Sequence, residues 1–128
     1  MAQGWRTSDR RTPAVNLSLA TRPGRGCVVV QLGGELDLAT DPDLRQGLHQ
    51  VLQDGARVVV LDLTDVAFLD STALGTIVWL HEQLQPRNGH VRVAVTRPLV
   101  LRVMELTSVD RLVRIYDTVA AAEADLAA

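Results

Sequence analysis

Seven residues in the middle of the chain, R-V-V-V-L-D-L at 57–63, constrain the fold more than any other stretch. Successive side chains of a strand point to opposite faces, so Val58, Val59, Val60 and Leu61 put aliphatic groups on both. Such a strand needs cover on both faces, the situation of a central strand in a parallel sheet with helices on two sides. An α/β architecture is the expectation.

The rest of the chain supplies elements to match. Upstream, A-V-N-L-S-L-A places Val15, Leu17 and Leu19 on one side, the period of a half-buried strand. T-R-P-G-R-G turns, and C-V-V-V-Q-L-G-G-E-L makes the second strand of an antiparallel hairpin. Thr40 or Asp41 caps a helix with Pro42 in its first turn, an apolar stripe of Leu44, Leu48, Val51 and Leu52, and a stop at Gly55. A helix is expected from about Ser71 to Gln85, ended by Pro86 and Asn88-Gly89. H-V-R-V-A-V-T reads as a strand, then a helix opened by Pro98 with Leu99, Val103 and Leu106 as its stripe. L-V-R-I-Y is a short strand, and a last helix is capped near Asp117. The order β-β-α-β-α-β-α-β-α gives one α/β domain over 13–128, a mostly parallel sheet with an N-terminal antiparallel hairpin and helices packed on it. Residues 1–12 are polar and aperiodic and read as a disordered extension.

Composition narrows the function. At 128 residues and 47% hydrophobic, the chain can bury a core without metals or disulfides. A net charge of −2 and scattered aromatics leave no nucleic-acid footprint. The apolar runs are too short to span a bilayer, and the amino terminus lacks the apolar centre of a secretory signal, so a cytoplasmic location is expected. The single Cys27 reads as a buried small hydrophobe. No phosphate-binding glycine loop and no metal-ligand cluster stands out, so neither cofactor nor enzymatic activity is expected.

Residues 65–76, D-V-A-F-L-D-S-T-A-L-G-T, pose the functional question. Asp70, Ser71 and Thr72 stand where the second helix-forming pattern begins, and three readings compete. Asp and Ser both cap helices. A serine at a strand–helix corner can be a nucleophile, but that chemistry needs a base and usually a G-x-S-x-G elbow. Here the flanks are Leu69, Asp70, Thr72 and Ala73, and His49, His81 and His90 have no evident partner. The third reading is a phosphoacceptor, since a helix N-terminus accommodates negative charge. Winding 71–85 at about 100° per residue puts Ala73, Leu74, Ile77, Leu80, His81 and Leu84 on one side. Ser71, Thr72, Gly75, Trp79, Glu82 and Gln83 fall on the other. A Trp on that outer side suits a protein interface, and Gly75 allows close approach.

G-E-L-D at 34–37, V-V-V-L-D-L-T-D-V-A-F-L-D-S-T-A-L-G at 58–75 and R-P-L-V-L-R-V-M-E-L-T-S-V-D-R-L at 97–112 together resemble the STAS family, within it the anti-sigma factor antagonists of bacteria. The match runs from about Ala14 to Thr118. It implies a strand-and-helix fold of the same order and a regulatory cycle. The unphosphorylated protein binds an anti-sigma factor that is also a serine kinase, freeing the sigma factor. The kinase phosphorylates the serine after the Asp, and a phosphoserine phosphatase resets the cycle. Carried over, Ser71 is phosphorylated, Asp70 flanks it and Asp37 lies near it at the same rim. Asp37, Asp70, Ser71, Thr72, Gly75 and Trp79 are then the expected partner-binding residues. Thr72, Ala73 and Ser108 depart from the family's common Ser, Gly and Gly. The alternative is an unswitched STAS module in a transport accessory or signalling complex.

Overall fold

A computed structural model describes residues 16–127; the expectations for 1–12 and for Val15 lie outside that range. Strand β1 (Leu17–Pro23) pairs antiparallel with β2 (Val28–Leu36), as the hairpin pattern requires. The chain continues through helix α1 (Asp41–Gln53), β3 (Val58–Leu69), α2 (Ser71–Leu84), β4 (His90–Ala94), α3 (Pro98–Leu106), β5 (Arg114–Tyr116) and α4 (Val119–Ala127). The sheet order is β1-β2-β3-β4-β5, with every pair after the first parallel.

Alternation along the strands divides the core in two. One face sends Leu19, Val30, Leu32, Val59, Leu61, Val91 and Val93 against the buried stripes of α1, α2 and α3. Each fully buried aliphatic side chain contributes roughly 1.5–3 kcal/mol, so this three-helix side carries most of the stabilisation. The other face sends Val29 and Val60 against Ala122 of α4, with Tyr116, Val119 and Leu126 around them. Polar groups pin α4 there. Asp125 Oδ2 lies 2.7 Å from Arg92 and 2.7 Å from Arg114, and it accepts a hydrogen bond from the Tyr116 hydroxyl. Glu123 accepts from Arg25 N at 2.9 Å. Beyond α4, Ser18, Ala20, Gln31, Asp62 and Asp65 line a shallow depression of about 300 Å³. The two-sided cover expected of the central strand is therefore three helices on one face and a single helix over part of the other.

Several local expectations change. The central strand runs to Leu69 because β2 stays beside it through two register shifts, ending with Leu36 opposite Leu69. Thr40 precedes α1 without capping it by its side chain; its hydroxyl instead serves the turn before the helix. The last helix is capped, as expected, near Asp117: the next residue, Thr118, accepts from Ala121 N at 3.0 Å through its Oγ1. In α3 the stripe is different: Val100 and Met104 are buried, while Leu99 and Leu106 point outward. Seven of its nine residues are apolar or proline, so periodicity alone did not choose a face. Cys27 is half-buried, and burial raises its thiol pKa.

Candidate functional site

Because β2, β3 and β4 run parallel, the segments that leave their C-terminal ends gather on one rim of the sheet, where ligands of α/β folds characteristically bind. After β2 the chain makes a tight turn. Asp37 N donates to Thr40 Oγ1 at 3.0 Å, and Thr40 N donates back to Asp37 Oδ1 at 3.0 Å. The Thr40 hydroxyl donates onward to Glu35 O at 2.8 Å. Three bonds on one buried threonine fix this turn, and Leu38 projects from it 73% exposed.

After β3 comes Asp70, in an extended conformation at the N-cap of α2. Its Oδ1 accepts from Ala73 N at 3.1 Å, satisfying one of the free donors of the first turn. Its Oδ2 accepts from Leu38 N at 3.1 Å. One carboxylate thus joins the helix start to the β2–α1 turn, and Asp70 N reinforces the join by donating to Leu36 O at 3.0 Å. Capping belongs to Asp70, so the exposed Ser71 is not needed for it.

The residues expected on the outer side of α2 divide. Ser71 and Gly75 are exposed, and a Cβ at Gly75 would meet nothing within 4 Å. Thr72 is half-buried. Trp79 does not lie on an open wet face. It is half-buried in the seam between α1 and α2, with Arg45 Cζ 5.0 Å from its ring centroid and the His49 ring at 4.8 Å. The helical wheel placed it opposite the sheet, but α1 lies alongside and covers it. The same seam holds Thr76, which the wheel assigned to neither side: its buried Oγ1 donates to Asp41 Oδ1 at 2.5 Å, and Asp41 Oδ2 accepts from Arg45 Nε at 3.1 Å.

The three histidines are engaged elsewhere. The His49 ring lies against that of Trp79, tilted by 60°. His81 is half-buried with Nε2 3.2 Å from Gln85 Nε2, and its Nδ1 has no partner among the described residues. His90 accepts from Arg92 Nε at 3.0 Å, and burial followed by the Arg92 charge lowers its pKa. None of these contacts involves Ser71, so the nucleophile reading finds no base.

Sequence reasoning missed the apolar side chains around the serine. Leu38, Phe68 at 43% exposure and Leu99 at 57% come from the ends of β2 and β3 and the start of α3. A lone exposed Leu means little, but three at the same end of the sheet as the exposed serine make a surface suited to a protein partner. A weak signal existed in the sequence, since Leu38 and Phe68 each lie within two residues of the motif aspartates, Asp37 and Asp70.

Comparison with known proteins agrees with the fold and the motifs. The STAS domain model matches residues 18–122. The chain is 29% identical over 104 residues to an anti-sigma F factor antagonist of Paenibacillus polymyxa, covering 80% of this chain and 89% of the relative. It is 30% identical over 103 residues to an anti-sigma-B factor antagonist of Staphylococcus aureus, covering 80% and 95%. Its structure is similar to that of an anti-sigma factor antagonist from Mycobacterium paratuberculosis, with a TM-score of 0.82 and 28% identity over 88% of this chain and 95% of that one. The matched span takes in β2, the Asp37 turn, β3, the Asp70-Ser71 corner and all four helices at least in part: this chain belongs to the STAS domain family.

Proposed function

We propose that this protein is an anti-sigma factor antagonist whose unphosphorylated form docks the Ser71 rim on an anti-sigma factor with serine kinase activity, releasing the sigma factor. Phosphorylation at Ser71 weakens the complex, and a phosphoserine phosphatase restores it. The protein acts by binding in the cytoplasm, without catalysis or cofactor of its own. Among the described residues no helix is long and apolar enough to cross a membrane, which is compatible with that setting. One observation carries the reading: Ser71 is exposed at the first position of α2, its helix already capped by a neighbour, at the end of the sheet that also exposes Leu38, Phe68 and Leu99. A phosphate there adds roughly −1.5 to −2 charges beside Asp70, within a surface whose docking value is apolar. A loss of about 2.7 kcal/mol lowers affinity about a hundredfold, and stranding an unpaired charge in an interface costs that much or more.

The test is capture from the host lysate on wild type, Ser71→Ala, Ser71→Asp and a protein carrying phosphoserine at 71. Wild type and Ser71→Ala retain an ATP-dependent kinase that itself binds a sigma factor; the phosphoserine protein loses it. Equal retention by all four baits overturns the switch and leaves the unswitched STAS module as the account.

A further inference from the structure

The geometry points to Asp70 as a positioning residue for the partner surface: its carboxylate sets where Leu38 stands relative to Ser71. This rests on the reading of the Ser71 rim as the docking surface. Leu38 is the most exposed large hydrophobic side chain among the described residues, yet its backbone N–H is held. The turn that carries it is braced internally by Asp37 and Thr40, so the turn moves as a unit. Leu38 itself is joined to the start of α2 by the Asp70 carboxylate, through Oδ2 to Leu38 N and through Oδ1 to Ala73 N, each at 3.1 Å, beside the Asp70 N–Leu36 O and Thr76–Asp41 bonds that hold the flanking residues. A carboxylate suits the post because both its oxygens only accept, and two N–H groups from segments 32 or more residues apart converge on it. Bonds to a charged acceptor are also stronger than bonds to a neutral one. A partner that buries Leu38 and Ser71 together reads the distance between them, so fixing it beforehand removes an ordering cost from binding.

Asparagine at 70 separates the two duties. Its single oxygen can cap α2 as well as Asp does, but its NH₂ then meets Leu38 N–H, donor against donor. The first readout needs no partner: amide hydrogen exchange and the amide proton shift of Leu38, in isolated wild type and Asp70→Asn. Exchange at Leu38 is expected to quicken about tenfold or more with the shift moving upfield, while Ala73 keeps its protection. The second readout is a double-mutant cycle for affinity to the host's purified anti-sigma kinase, using Asp70→Asn, Leu38→Ala and the pair. Asp70→Asn is expected to weaken binding about tenfold in the wild-type background and by less than about twofold once Leu38 is alanine.

An unchanged Leu38 amide in Asp70→Asn overturns the clamp. Equal losses in both backgrounds overturn the claim that Asp70 acts through Leu38. Should wild type bind no such kinase while the Leu38 amide responds as stated, the functional reading falls and the clamp survives it. Asp70→Ser, which caps α2 but is too short for Leu38 N, repeats the result if Asn perturbs the fold.

Discussion

At the residue scale, the seam between α1 and α2 rests on a buried hydroxyl. Thr76 donates to Asp41, a buried residue whose other carboxylate oxygen takes the Arg45 guanidinium. Removing a donor leaves the acceptor desolvated and short of a partner, at a cost of about 1–3 kcal/mol. Thr76→Val, close in shape, should therefore lower unfolding stability by about 2 kcal/mol in urea titrations, with Thr76→Ser recovering most of it. Gly75 behaves oppositely. The space where its Cβ would stand is open, and Gly inside a helix is worth about 1 kcal/mol less than Ala. Gly75→Ala should raise the urea midpoint while weakening binding to the proposed anti-sigma kinase several-fold, because the new methyl enters the proposed docking face. A variant that is both more stable and an equally good binder would remove Gly75 from that face.

Elements differ in how legible they were. β3 announced itself, since a short run of mostly β-branched aliphatics at 58–61 suits a doubly covered strand. The cap at Asp70 was legible as chemistry, because few residue types cap a helix. The face of α3 was not legible: Arg102 and Glu105 are its only charged residues, and burial was decided by which side met β3. Met104→Ala should cost about 2–5 kcal/mol, whereas Leu106→Ala, at 71% exposure, should stay within about 0.5 kcal/mol. Thermal denaturation of the two variants side by side distinguishes the observed face from the stripe of Leu99, Val103 and Leu106 that periodicity suggested. Trp79 and the Asp70–Leu38 bond share one reason for having been hidden. A wheel drawn on one helix has no knowledge of its neighbour, and a hydrogen bond across 32 residues leaves no local trace.

For the whole molecule, pH acts on the α4 face of the sheet. His90 is held below its usual 6.5, first by burial and then by the Arg92 charge. The unfolded chain takes up that proton near pH 6.5 and the folded chain only lower, so stability drops as pH falls from 6.5 through the folded value. Asp125 is lowered to about 2 from 3.8, first by the Tyr116 hydroxyl and then by Arg92. Its contribution is complete above 3.8 and disappears as pH falls towards 2. Melting temperature should thus decline in two separate acid windows. His90→Gln should flatten the upper one and Asp125→Asn the lower one, in melts recorded from pH 8 to pH 2.

The sheet order, in which each strand lies beside the one before it, bears on synthesis. A ribosome delivers roughly 5–20 residues per second, and every strand that emerges finds its pairing edge already made. The Asp37 turn, Asp70 and Ser71 all lie upstream of Leu84, where α2 ends. Most of the rim can therefore take shape while β4, β5 and α4 are still being translated. The nascent chain would display Ser71 at the start of a formed helix before it carries a finished protein.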